Sequence, residues 1–332
     1  MKMRLNFRKG NFREKMKKPM SKTNLVSKTN LVIIALIAIC LIFLTSGCQI
    51  SGINFFNPYT GSEGLDIKFV QNSPPENVYS QSTFGVGVIL ENRGALDIKK
   101  GILVIGVEDF GEKTIAGNDK ITFDLYGKKE SRTYRGERSV EFFELKALKL
   151  ESKNEQETTV NVKTCYDYET VAQVPVCLDS TINPVESERK ACTMRESIGL
   201  SYQGAPVAVS LIEINRIFKS KEKMQFAFTL HVRNVGDGYV VNPDSTEKFC
   251  SSDAKLNESD FGRVRVSATL AFKELDCTPR KSVDISQGDD FLTCYTEEMP
   301  VSNNAYNTVL NVKLDYGYVN LQSKTLKILK LS

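Results

Sequence analysis

From residue 65 onward, apolar and polar residues alternate with a period of two, the pattern of strands with one buried face. The clearest run is Met224–Asn234, MQFAFTLHVRN. Met224, Phe226, Phe228, Leu230 and Val232 fall on one face, and Gln225, Ala227, Thr229, His231 and Arg233 on the other. Phe84, Val86, Val88 and Leu90 repeat the pattern. Further strands are expected at Leu65–Val70, Ile102–Val107, Ile121–Leu125, Val140–Leu150 and Arg263–Phe272. No stretch carries the 3.6-residue period of a helix three turns long. Short strands broken by Gly, Pro, Asn and Asp predict an all-β protein built of sandwiches.

One segment departs from this texture. Leu31–Thr45, LVIIALIAICLIFLT, is uncharged. It has the length of a signal-peptide core, and counting on through Ile50 gives about 20 residues, enough to span a bilayer as a helix. Residues 1–30 hold ten Lys or Arg against one Glu. The full chain has a net charge of +4, so the part after residue 30 is mildly acidic. That balance argues against nucleic-acid binding and makes the basic cluster an orienting cytoplasmic flank. Residues 1–30 therefore read as a basic n-region, 31–48 as a signal peptide or membrane anchor, and 49–64 as a Gly/Asn-rich tether. Cys48 closes the apolar run as TSGC, Thr45–Cys48. This resembles the bacterial lipobox, in which the Cys is lipidated and the chain is cut before it, although Thr45 stands where Leu is commoner. The other reading is a retained transmembrane helix; both place Gln49 onward outside the cytoplasm.

Internal similarity sets the domain count. VNVKTCYDYET, from Val160, lies over LNVKLDYGYVN, from Leu310, a shift of 150 residues. VILENRG and LHVRNVG each lead into Asn-x-Gly, at Asn92–Gly94 and Asn234–Gly236, a shift of 142. Two echoes in the same order at nearly equal shifts predict a duplicated domain. The expected division is 65–185, an interdomain segment 186–204, and 205–332. The Asn-x-Gly turns suggest backbone with positive φ. In each Tyr-x-Tyr, both rings share the face of the preceding apolar residues. They are expected in the core with bonded hydroxyls rather than as a ligand platform.

Six cysteines follow the leader: Cys165, Cys177, Cys192, Cys250, Cys277 and Cys294. An even number in an exported chain reads as disulfides. Parity turns Cys165 and Cys177 outward, so they are candidates for a cross-strand pair about a turn near Val171, with Cys192 competing for either. Cys277–Cys294 is the second expected pair, leaving Cys192 and Cys250.

An anchor, a tether and sandwiches with strand-Asn-x-Gly turns resemble tandem immunoglobulin-like surface domains of prokaryotes, the cell-adhesion-related bacterial domains (CARDB) and related archaeal surface proteins. Gln203–Val209, QGAPVAV, resembles the linker and first strand of a second such domain. The resemblance implies two immunoglobulin-like sandwiches after one N-terminal hydrophobic helix, held at a membrane, and carries over no catalytic residue.

Sites of chemistry are sparse. The one histidine, His231, falls mid-strand on the polar face, the place of a solvated residue rather than of a nucleophile's base. No phosphate-binding glycine loop is present, and no cofactor is implied. Metal ligation is not expected: no C-x-x-C occurs, and Gly288–Asp290 reads as a turn rather than a calcium loop. The absence of Trp weighs against sugar stacking. Asn257-Glu-Ser is a glycosylation sequon. The leading expectation is a non-enzymatic surface protein that binds a protein partner or mediates adhesion. The alternatives are an accessory subunit of an envelope complex serving secretion, pilus or transport, and an exported hydrolase using carboxylates in an interdomain groove.

Overall fold

The computed structural model describes residues 56–331 apart from 108–114, 118–119, 148, 151–152, 182–189, 252, 280 and 303. The basic region, the apolar segment, Cys48 and the tether up to residue 55 lie outside the described residues. In chain order the strands are β1 Leu65–Phe69, β2 Asn77–Tyr79, β3 Thr83–Asn92, β4 Ile98–Val107, β5 Ile115–Gly117, β6 Lys120–Leu125, β7 Arg138–Ala147, β8 Glu155–Asp179, β9 Ser197–Gly199, β10 Val207–Phe218, β11 Lys223–Asn234, β12 Tyr239–Val241, β13 Arg263–Leu270, β14 Lys273–Glu274, β15 Asp276–Thr278, β16 Ser282–Asp284, β17 Asp289–Tyr295, β18 Met299–Pro300 and β19 Ala305–Leu329. Single helical turns, α1 at Lys128–Ser131 and α2 at Thr246–Phe249, punctuate them.

Three sheets result, and the protein is all-β. One follows the order β1-β3-β7-β5 and comes wholly from the first half of the chain. Another follows β15-β17-β11-β10-β9, with β18 also on β11, and comes from the second half. The third, β14-β13-β19-β8-β4-β6, draws on both halves. At its centre β8 and β19 pair antiparallel without a break, from Ala305 opposite Asp179 to Leu329 opposite Glu155. At about 3.3 Å per residue, each of these 25-residue strands has a contour of roughly 80 Å.

The length of β8 follows from its alternation. Every even position from Thr158 to Leu178 is buried, and most are β-branched or aromatic. No Gly interrupts the strand. Pro175 falls beyond the reach of β4, whose pairing on β8 ends at Cys165, so the missing N–H has an edge to face. The turn expected near Val171 is therefore absent: Val171 sits mid-ladder opposite Lys313. A run of β-branched residues favours continued strand, and nothing there supplies turn chemistry.

The inner, even-numbered face of the shared sheet belongs to one core with the inward residues of the two outer sheets. Val86, Val88 and Leu90 from β3 and Phe226, Phe228 and Leu230 from β11 are completely buried in it. A smaller cluster lies on the opposite face of the shared sheet, where Ile102, Cys165 and Val319 are covered by Val241, Phe249 and Cys250. The segment 56–64 also packs on the body. The ring of Phe56 meets Tyr134 edge-on with centroids 5.4 Å apart, and Lys128 donates from Nζ to the Thr60 carbonyl at 2.8 Å. Part of the expected interdomain segment is itself a strand, since β9 pairs with β10.

Candidate functional site

The duplicated motifs meet at the middle of the β8–β19 ladder. Tyr168 lies opposite Tyr316 and Tyr166 opposite Tyr318, with Asp167 and Gly317 between them. All four rings point inward and are buried. Their centroids are 5.8 to 6.3 Å apart in mutually tilted or edge-on pairs, the geometry favoured by ring quadrupoles.

Each hydroxyl has partners, and those partners repeat. Tyr166 Oη accepts from the Leu65 N–H at 3.0 Å, and Tyr316 Oη accepts from the Val207 N–H at 3.3 Å. Leu65 and Val207 are the first residues of β1 and β10. Tyr168 Oη accepts from the Leu96 N–H at 3.1 Å and donates to the Leu96 carbonyl at 3.0 Å. Tyr318 Oη accepts from the Gly238 N–H at 2.8 Å and donates to Asn234 Oδ1 at 3.2 Å. The turn asparagines match too. Asn92 accepts from the Gly94 N–H and donates to the Leu96 carbonyl; Asn234 accepts from the Gly236 N–H and donates to the Gly238 carbonyl. Burial pushes the hydroxyl pKa of Tyr318 up to about 12, and that of Tyr166 and Tyr316 well above the ordinary value. The quartet stays protonated at physiological pH and ties both Asn-x-Gly turns to the shared sheet. Core packing, not ligand stacking, is its role.

The glycines of these turns are needed for a different reason from the one the sequence suggests. Neither Gly94 nor Gly236 has positive φ. A Cβ at Gly236 would stand 2.6 Å from Tyr318 Oη, and one at Gly94 would overlap Tyr168 Oη. The turn must leave room for a tyrosine hydroxyl that arrives from the partner motif.

The cysteines form three disulfides: Cys165–Cys250, Cys177–Cys192 and Cys277–Cys294. Cys277–Cys294 is as expected, joining residues directly opposite in the β15–β17 ladder. The Cys165–Cys177 pair is not formed, nor is Cys192–Cys250. Without a turn at Val171 the first two lie far apart along one strand. Cys165 does face outward, but α2 covers it; Cys177 takes the nearer competitor, Cys192. The Cys165–Cys250 bridge fastens α2 to the outer face, where Thr246 Oγ1 donates to Asp167 Oδ1 at 2.5 Å. Desolvation raises the Asp167 pKa, and the Thr246 bond opposes that rise.

Beside α2 lies a groove of about 810 Å³ lined by Asp97, Asp167, Glu169, Asp244 and Asp315 among others. Each of these carboxylates already holds a partner. Asp97 accepts from the Gly127 N–H, Asp167 from Thr246, and Asp244 pairs with Arg265 at 3.3 Å. Glu169 and Asp315 share Lys313, at 2.6 and 3.1 Å. Asp244, Glu169 and Asp315 are thus ion-paired, whereas Asp97 and Asp167 are held by an N–H and a hydroxyl.

The remaining sequence candidates are dispersed. His231 Nε2 is 3.5 Å from Glu213 Oε1, and its ring lies 5.5 Å from that of Phe291. Gly288 has φ +120°, and Asp290 accepts from the N–H groups of Asp284 and Phe291, as in a tight turn. No group of three or more His, Cys, Asp or Glu able to hold a metal occurs among the described residues. Asn257 is exposed, and its N–H donates to Asp260 Oδ2 at 2.8 Å. The Asp260 carboxyl is held down to about 2 by the hydroxyl of Ser245, that N–H and Lys248.

No family model matches the chain, and no curated protein matches it. Among solved structures it is similar to the secreted serine protease VesC from Vibrio cholerae, at 10% identity over 79% of this chain and 51% of that one, with a TM-score of 0.22. It is also similar to a DUF4466 family protein from Parabacteroides merdae ATCC 43184, at 9% identity over 76% and 99% of the two chains, with a TM-score of 0.17. The chain thus spans about half the length of the first of these. Likenesses of this grade bring no family and no activity to the chain.

Proposed function

We propose that this is a membrane-anchored, extracytoplasmic binding protein whose two halves are immunoglobulin-like sandwiches presenting loops and strand edges to a protein partner. The observation that carries the proposal is the cysteine count after the leader: all six pair as disulfides, a usage that belongs to oxidising compartments. The uncharged segment ending at Cys48 supplies the anchor, as a lipid attachment or a retained helix. Charge pairing in the groove beside α2 favours a binding surface over hydrolysis.

Two measurements test this. Thiol labelling of intact cells should leave Cys165, Cys177, Cys192, Cys250, Cys277 and Cys294 unmodified until reductant is added; free thiols there would overturn the location. Affinity capture of the native chain from gently solubilised membranes should recover a protein partner at less than full occupancy. Stoichiometric recovery within a large assembly would instead make it an accessory subunit of an envelope complex.

A further inference from the structure

We propose that the open edge of β7 pairs with the same edge of a second copy of this chain, giving a two-fold dimer. On one side β7 pairs with β3 along Arg138–Lys146. On the other it meets β5 only at Leu145–Ala147. Among the described residues no strand lies beside Arg138–Glu144 on that side, and the main-chain donors and acceptors that turn that way meet no strand among them. Such an edge is a template for another strand.

The hydrogen-bond phase says which residues offer these groups. The Glu137 carbonyl accepts from the Asn92 N–H at 2.9 Å, and the Ala147 N–H donates to the Ser82 carbonyl at 2.9 Å. Odd-numbered residues therefore turn their main chain toward β3. Arg138, Val140, Phe142 and Glu144 turn theirs to the open side. The same four side chains share the solvent face, where Val140 is 41% and Phe142 73% exposed.

The pattern is complementary to itself. A two-fold axis through Glu141 sets Arg138 against Glu144 of the second copy and Val140 against its Phe142. An opposite-charge pair and an apolar pair then recur on both sides of the axis, each a favourable cross-strand contact. Moving the axis to Phe142 would set Arg138 against Lys146; moving it to Val140 would set Arg138 against Phe142. The stretch without a neighbouring strand among the described residues is also centred on Glu141, so this register uses all of it before β5 intervenes. The one adverse contact is Glu141 with its counterpart, and each Glu141 already accepts a hydrogen bond from Ser139. A strand pair this short buries less than the ~1,600 Å² of a standard interface, so association in dilute solution is weak. Confinement to a membrane would strengthen it by raising the effective concentration. That last point rests on the proposed location; the pairing itself does not.

The test uses the purified full-length chain, with circular dichroism confirming that each variant is folded. In the Glu141→Cys variant the two introduced thiols would face each other across a non-hydrogen-bonded pair, with Cα atoms about 4.5 Å apart. Mild oxidation should give a covalent dimer well above the wild-type background, whereas Arg138→Cys should not. By sedimentation, Arg138→Glu should weaken association about tenfold, the worth of one good charge pair lost and a like pair gained on each side. Adding Glu144→Arg should restore it, and Glu141→Gln should tighten it. A chain that stays monomeric and uncrosslinked up to ~1 mM, where only contacts weaker than about 4 kcal/mol escape detection, overturns the proposal. So does a dimer indifferent to the charge reversal, or a monomer whose β7 edge is occupied by a different protein.

Discussion

At the scale of single residues, the fold depends on polar groups that tie each Asn-x-Gly turn into place. Asn92 is fully buried and serves three main-chain groups, those of Gly94, Leu96 and Leu125. Asn234 makes the equivalent turn but is only half-buried. Orphaned buried groups cost about 1–3 kcal/mol each, and water can replace the lost bonds at Asn234. Asn92→Ala should therefore destabilise by roughly 2–4 kcal/mol and Asn234→Ala by about half that, read from urea midpoints at a constant slope. Gly94→Ala should also destabilise, by about 1–3 kcal/mol, through overpacking against Tyr168. The tyrosines add a dependence on pH. An unfolded tyrosine ionises near 10.0, whereas folded Tyr318 holds its proton until about 12. Below 10 both states keep the proton and stability is level. Above 10 the unfolded chain releases a proton that the folded chain retains, so stability falls as pH rises toward 12. Urea midpoints between pH 8 and 11 should show this decline, and Tyr318→Phe should make it shallower without abolishing it, because Tyr166 and Tyr316 hold their protons likewise.

At the scale of elements, two of the disulfides fasten segments outside the strands, at Cys192 and Cys250, to β8, and the third crosses the β15–β17 ladder. Cys165–Cys250 closes a separation of 85 residues, against 15 for Cys177–Cys192 and 17 for Cys277–Cys294. Restriction of the unfolded chain gives about 4.5 kcal/mol for the first and about 3 for each of the others. Replacing each pair by serine should lower the melting temperature in that order, with the Cys165–Cys250 loss greatest. The same variant should release α2 from the outer face, seen as faster amide exchange at Thr246–Cys250. An equal effect of all three replacements would show that native packing at α2, rather than chain restriction, sets the scale.

At the scale of the whole molecule, the shared sheet couples the repeats. Ala172, Val174, Val176 and Leu178 on the C-terminal half of β8 are buried in the common core, although β4, the neighbour from their own half of the chain, pairs with β8 only as far as Cys165. A fragment ending at residue 185 would expose this face, so residues 49–185 should not fold as a soluble monomer. The entire chain should unfold in one calorimetric transition with matching van't Hoff enthalpy. Two separable transitions would mean that each repeat holds its own core despite the shared ladder.

Much of this was legible along the chain because a strand's code is local. Period-two alternation placed β1, β3, β4, β6, β7, β11 and β13 to within a few residues, and turned the Tyr-x-Tyr rings and Cys165 to the correct faces. The echoes at shifts of 150 and 142 singled out the tyrosines and turn asparagines whose hydrogen bonds correspond in the two halves. What local sequence could not fix was which strand lies beside which. Alternation is the same whether a strand stops at Val171 or runs on to Asp179, so the continuous β8–β19 ladder, and with it the Cys165–Cys250 and Cys177–Cys192 pairing, appears only in three dimensions. The need for Gly94 and Gly236 was hidden likewise, because the atom each makes room for arrives from the partner motif. Sequence by itself determined the all-β class and the faces of the strands that alternation marks; tertiary structure alone decided where β8 ends and which strands are partners, because pairing depends on contacts between residues distant in the chain.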